Sequence, residues 1–260
     1  MRAGAFDHAL IGVSDLEAAR RVYQRLGFTT CPRGKHIGWG TANYCIMFGG
    51  DYLELLGIVD ASQFTNNLDA FLTDHGEGLL GMCFASGDIN ALGERLGVEP
   101  TNLKRLLELP EGTVEPRFRL LHPPTGALPG LSGFFCQHLT PELMRQPDWL
   151  VHANGAAGIA SLTIAVADIL DAAHAYGRIF GERAVQMGHA QADIMMDEGR
   201  IRLVSAGRHP EGLVELAVRV TDMANTMAYL DTAGIAYEQA PKGLLVAPQE
   251  ACGAILRFVR

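Results

Sequence analysis

One pattern constrains this 260-residue chain more than any other: an apolar strand, a polar capping residue, an amphipathic helix closed by glycine, then further strands, written four times. The first copy is HALIGVSDLEAARRVYQRLG, ending at Gly27, and the second GMCFASGDINALGERLG, ending at Gly97. The third, SLTIAVADILDAAHAYGRIFG, ends at Gly181, and the fourth, VELAVRVTDMANTMAYLDTAG, at Gly234. Asp15, Asp88, Asp168 and Asp222 stand where a side chain can accept from the unpaired amides of a first helical turn. Ser14 with Glu17 also fits a capping box. Each glycine stands where a helix end needs a left-handed residue. Repetition at this scale predicts repeated structural units.

Three strand-like runs follow the first helix: FTTCPRGKHIGW, TANYCIMF and DYLELLGI, with Gly49, Gly50 and Asp51 as a hairpin turn. The third copy repeats them as AVQMGH, AQADIMMDEG and RIRLVSAG, the fourth as AYEQA, GLLVAP and AILRFV. The second is stretched by HPPTGALPG before LSGFFCQHL. One strand, one helix and three strands cannot bury a two-faced sheet alone, so such units pair around a cupped sheet with helices outside. The fold class expected is α+β, with four βαβββ modules in two domains, residues 1–139 and 157–260, joined by a linker over 140–156 that is rich in Pro and Gly.

Composition narrows the function. A hydrophobic share of 48%, a charged share of 19% and a mean hydropathy of +0.11 describe a packed globular protein. A formal charge of −8 and a pI near 5.6 leave nothing to neutralise a run of phosphates, so nucleic acid is not an expected partner and a small-molecule substrate is. No stretch approaches a membrane span and the N-terminus has no signal-peptide pattern, so a cytoplasmic protein with no membrane partner is expected. Exposed sheet edges allow a homodimer. The five cysteines, Cys31, Cys45, Cys83, Cys136 and Cys252, have no CxxC spacing and read as buried free thiols.

Period two in a strand decides which side chains enter a cup. Ala9, Ile11 and Val13 form the apolar face that meets the helix, so His8 faces inward. Leu53 and Leu55 do the same in the last strand of module one, leaving Tyr52, Glu54 and Leu56 inside. A buried carboxylate needs a cation or donors. In LSGFFCQHL, His138 shares a face with Phe134 and Cys136 and offers a third donor. Two imidazoles and a carboxylate suit a divalent ion such as Zn, Fe, Mn or Ni and leave positions open for substrate oxygens.

The runs FDHALIGVSDLEAARRVYQRLGF, KHIGWGTANYCIMFG and YLELLGI resemble the glyoxalase-like branch of the vicinal-oxygen-chelate superfamily. The resemblance implies metal ligands from a module's first and last strands, which map to His8 and Glu54. In the partner module, GMCFAS offers only Met82 and Cys83 where the family has a first-strand ligand, and Gln137 and His138 stand where it has a last-strand Glu. The C-terminal modules show no such set, with Glu215 standing alone, so that half is expected to carry no metal. The implied function is a metal-dependent enzyme of lyase or isomerase type that chelates two neighbouring oxygens of a small organic substrate. The alternatives are an Fe(II)-dependent ring-cleavage dioxygenase and a metal-free small-molecule-binding or resistance protein of the same fold.

Further candidates surround this set. His36, in the glycine-rich GKHIGWGTAN, is the candidate for proton transfer. Trp39, Asn43 and Tyr52 are candidate substrate contacts. His152 and Asn154, in HANG, are read as a turn, and Arg117 and Arg119 as surface charge with a carboxylate-binding role as the alternative. His75, His122, His174, His189 and His209 show no partner spacing and are read as structural or solvent-facing.

Overall fold

A computed structural model describes residues 4–208 and 210–260; His209 lies outside them. Module one runs β1 (Ala5–Val13), α1 (Leu16–Arg25), β2 (Gly34–His36), β3 (Thr41–Met47) and β4 (Tyr52–Ile58). After a short α2 (Leu68–His75), module two runs β5 (Gly78–Ala85), α3 (Ile89–Leu96), β6 (Thr101–Leu109), β7 (Gly112–Val114), β8 (Arg117–Leu121) and β9 (Gly133–His138). Module three comprises β10 (Ala156–Val166), α4 (Ile169–Phe180), β11 (Val185–Met187), β12 (Gln191–Met195) and β13 (Arg200–Ser205). Module four comprises β14 (Gly212–Val220), α5 (Met223–Thr232), β15 (Tyr237–Ala240), β16 (Gly243–Val246) and β17 (Leu256–Val259).

Modules one and two share a nine-stranded sheet ordered β2-β3-β4-β1-β5-β9-β8-β6-β7, and a further β2–β6 pairing curls it into a barrel. Modules three and four share an eight-stranded sheet ordered β11-β12-β13-β10-β14-β17-β16-β15. Within each module the first strand runs parallel to the last, and first strands of paired modules are antiparallel neighbours. No helix among the described residues is long and apolar enough to cross a membrane.

Local chemistry explains the helix limits. Asp15, Asp88, Asp168 and Asp222 each accept from first-turn amides. The capping box expected at Ser14 and Glu17 does not form: Asp15, one residue later, takes the cap, and Glu17 turns to accept from Tyr44 Oη at 2.6 Å. The run from Phe28 to Trp39 is mostly irregular, with strand only at Gly34–His36, since Pro32 offers no ladder donor. Helix α2 was not signalled; its Leu68 packs on Leu10 and Leu56 beside the barrel.

The segment between the sheets forms two short 3-10 turns, Pro141–Leu143 and Pro147–Leu150, and folds onto the barrel. Met144, Trp149 and Leu150 pack against a cluster that includes Cys31, Met47, Tyr52 and Phe118. Arg145 donates to the carbonyls of Phe48, Gly49 and Gly50 at 2.8 to 2.9 Å. His152 accepts from the Thr29 amide through Nδ1 and reaches the Met47 carbonyl with Nε2. The HANG motif does turn, through Gly155 N–H to His152 O, but both its polar side chains are also tethers: Asn154 donates to Leu26 O and accepts from Ala156 N–H.

Asp51 joins the halves by accepting the Ile159 amide. Burial pushes its carboxyl up to about 7. A carboxyl whose folded value exceeds its unfolded one contributes stability fully below about pH 4 and loses it as pH rises through about 7. Asp51→Asn keeps an oxygen for Ile159 and cannot ionise. It is expected to raise stability by on the order of 2 kcal/mol at pH 8 and to change little at pH 4. Thermal unfolding at both pH values checks this; an equal difference at the two would rule out the buried charge as the cause.

Candidate active site

Strand alternation sorts the barrel walls. Ala9, Ile11, Val13, Leu53 and Leu55 belong to the core under the helices, whereas His8, Leu10, Tyr52, Glu54 and Leu56 line an interior cavity of about 130 Å³. Phe134 and Cys136 from β9 and Leu103, Phe118 and Leu120 complete its largely apolar wall. His36, Trp39 and Arg105 also face it.

At its polar wall, His8 Nε2 lies 3.2 Å from Glu54 Oε2. Asp7 holds the opposite ring nitrogen, Nδ1, at 2.6 Å, and Tyr52 stacks on the imidazole with centroids 4.4 Å apart. Asn43 Nδ2 donates to Glu54 Oε1, and His36 Nε2 lies 4.0 Å from the same oxygen with its Nδ1 on Thr41 Oγ1. Burial disfavours charge on His8, but Asp7 and Glu54 outweigh it and push the imidazole up to about 9. Burial would likewise raise Glu54, but the His8 contact wins and holds the carboxyl below its usual range. Burial outweighs the pull of Glu54 on His36, Arg105 and His8 add to it, and the imidazole is drawn down to about 4, so it is neutral at physiological pH.

Strict alternation places Asp7 on the helix side, so no pattern in the sequence marks it as a site residue. A register shift against β5 between Phe6 and His8 leaves Asp7 as an extra residue and turns it inward. His138 is on the predicted face, but its Nε2 engages Asp7 Oδ2 at 3.0 Å rather than joining His8 and Glu54. Asp7 and Cys136 overcome burial to push His138 up to about 10, and the Cys83 contact draws Cys136 down to about 7. Among the described residues, one set of three ligand-type side chains has donor atoms within 4.8 Å of one another: Asp7, Cys83 and Cys136. All five cysteines are free, four of them buried.

The fourfold repeat gives His8 three counterparts. Counting seven residues back from each helix cap, at Asp15, Asp88, Asp168 and Asp222, gives His8, Gly81, Ser161 and Glu215. Two residues on, the last-strand partners in register are Glu54, Phe134, Arg202 and Arg257. Module two therefore contributes a glycine and a phenylalanine where module one has donors. In the C-terminal half a guanidinium takes the Glu54 place twice. Arg202 makes a two-point pair with Asp193 at 2.8 and 3.1 Å, and Arg257 with Glu215 at 2.9 and 2.7 Å. Glu215, the single ligand-type residue read in these strands, is engaged by Arg257, a partner distant in sequence.

Trp39 packs on His36 and Phe64, with centroids 5.3 and 5.1 Å apart, at the edge of the cavity. Asn43 reaches the cavity only through Glu54. Arg117 is exposed and Arg119 donates to Asn90, both outside the barrel lumen. His122 is a correction: it stacks on Phe134 at 5.2 Å and lines the cavity, a role no spacing signalled.

The family described as glyoxalase-like domain matches residues 6–180, more than half of the chain. The chain belongs to that family. None of the curated proteins matches this glyoxalase-like sequence. Among solved structures, a hypothetical protein from Staphylococcus aureus aligns with a TM-score of 0.70 at 14% identity, over 98% of each chain. A triple mutant of 4-hydroxymandelate synthase from Streptomyces coelicolor aligns with a TM-score of 0.62 at 11% identity, over 100% of this chain and 93% of that one. The Mn(II)-bound glyoxalase from Novosphingobium aromaticivorans gives 0.58 at 12%, over 99% and 82%. At these identities the likeness is one of fold: two domains of the vicinal-oxygen-chelate type.

Proposed function

We propose that this protein is a metal-dependent enzyme of lyase or isomerase type that acts on a small organic molecule inside its N-terminal barrel. One observation carries the reading: His8 Nε2 and Glu54 Oε2 face each other at 3.2 Å, and each is held from behind. Donors about 2.0 to 2.2 Å from a common divalent ion stand at such a separation. Ligating imidazoles hand their second nitrogen to a carboxylate, as His8 does to Asp7, and ligating carboxylates are themselves hydrogen-bonded, as Glu54 is by Asn43. The residues present therefore fit a divalent ion held by His8 and Glu54. Bound there, it would supply Lewis-acid polarisation of neighbouring substrate oxygens.

The chain's own groups do the rest. Gly81 and Phe134, lacking donors, leave that side of the barrel to substrate. Thr41 fixes the His36 ring, so a neutral imidazole presents Nε2 toward the cavity and is the group that moves a proton. Tyr52 keeps His8 in plane, and the leucine and phenylalanine walls exclude water. Residues 1–139 carry this site, and among the described residues of 157–260 arginines take the places of the ligand carboxylate.

The test is elemental analysis after anaerobic equilibration with Zn²⁺, Mn²⁺ or Fe²⁺ and dialysis. Wild type is expected to retain about one ion per chain and His8→Ala to retain none. Equal retention by the two proteins would remove His8 from the site and the reading with it.

A further inference from the structure

Arg105 is a buried cation without an anion. It is 3% exposed and lines the barrel cavity, yet among the described residues no carboxylate oxygen lies within 4.0 Å of its guanidinium. Nη1 donates to Cys45 Sγ at 3.3 Å, Nη2 to Met144 Sδ at 2.8 Å, and Nε finds no partner. Sulfur is a weak acceptor, and a guanidinium carries five N–H donors that match a planar two-oxygen anion. The inward-facing carboxylates are committed elsewhere, Glu54 to His8 and Asn43 and Asp7 to His8 and His138. An uncompensated buried charge is strongly destabilising, so a chain that merely needed to fill this space would be better served by an apolar side chain.

The geometry points to a small organic carboxylate as the substrate class, its carboxylate against Arg105 and its apolar body along Phe118 and Phe134. This deepens the function proposed above, on which it rests in taking the barrel interior as the substrate site. Arg105 lies directly across the closing seam from His36, the residues being register partners in the β2–β6 pairing, so the anchored acid would sit beside the proton-moving imidazole. The cavity, of about 130 Å³, is close to the ~150 Å³ that admits a benzene ring. An acid with a single ring or a short branched chain matches that space. Arg117 and Arg119, the arginines that sequence reasoning considered for such a role, lie outside it.

Isothermal titration of the full chain with phenylacetate and with phenylacetamide tests the assignment. EDTA is included so that no ion contributes. The two probes share shape and differ in charge. Wild type is expected to bind the acid at least about tenfold more tightly than the amide. Arg105→Met is expected to lose about 10- to 100-fold for the acid and nothing for the amide, with Arg105→Lys in between. Equal affinities for the two probes in wild type, or binding of neither, overturns the proposal, and that comparison needs no variant to fold. An acid preference that survives in Arg105→Met overturns it as well. Ion retention by wild type and His8→Ala is read separately, so loss of the acid preference leaves the metal reading standing, and failure of ion binding leaves the Arg105 anchor standing.

Discussion

Glu54→Gln is expected to weaken divalent-ion binding by about 100-fold or more and to leave the fold intact. Removing a partner that only orients a ligand costs about 10- to 100-fold in metal affinity, and removing a ligand's charge costs at least as much. Gln has the same length, so its carbonyl oxygen still accepts from Asn43 Nδ2, and its amide can face a neutral His8 Nε2. The buried hydrogen bonds therefore persist while the negative charge an ion requires is gone. Mn²⁺ titration of wild type and variant, followed by calorimetry, measures the change directly. A variant that binds Mn²⁺ within threefold of wild type would exclude Glu54 as a ligand, and a variant that melts far below wild type would show the pair to be structural.

The architecture was legible because its signals are local and repeated. An Asp at each helix start and a Gly at each helix end are backbone chemistry read within one turn, and all four Asp caps and all four positive-φ glycines are in place. The inward face of β1 and β4 was legible for a similar reason: two-residue alternation set His8 and Glu54 apart from Ala9, Ile11, Leu53 and Leu55. Residues whose placement depends on tertiary events were missed. Asp7 enters through a bulge, which breaks the alternation the reading relied on. Arg105 reaches the lumen because β6 pairs with β2 to close the barrel, a contact between segments about 70 residues apart in sequence. His152 and Asn154 looked like turn residues because the carbonyls they satisfy, on Met47 and Leu26, belong to a distant module.

The same repeat, read in space, shows how one fold supports two different interiors. Where module one carries an imidazole in its first strand and a carboxylate in its last, modules three and four carry Ser161 and Glu215 in the first place and Arg202 and Arg257 in the second. Both arginines find acids close by in space, and their two-point pairs are partly buried. These cations are paired with carboxylates from within the chain, whereas Arg105 has two sulfur acceptors and the face of the Phe118 ring, 5.6 Å away, and no carboxylate. The contrast separates a structural arginine from one that awaits a ligand.

Phe84→Ala is expected to destabilise the protein by about 3–5 kcal/mol and to do so in both halves at once. Phe84 lies on β5, fully buried on the outer face of the barrel. Its ring meets Phe135 at 5.6 Å and Phe6 at 6.3 Å within the first sheet, and Phe180 at 4.9 Å from helix α4 of the second half. Truncation removes a ring from a packed three-way junction, and backbones fixed by two sheets cannot collapse to refill it. A single apolar core runs from Phe6 through Phe84 and Phe180 to Phe258, so the halves share the loss. The two tryptophans, Trp39 and Trp149, lie in and against the barrel, and their fluorescence reports on the first half, while far-ultraviolet dichroism reports on both. Urea unfolding followed by the two signals should give one midpoint in wild type and one lowered midpoint in the variant. Fluorescence that falls well ahead of dichroism in Phe84→Ala would mean that the junction does not couple the halves and that the barrel stands on its own core.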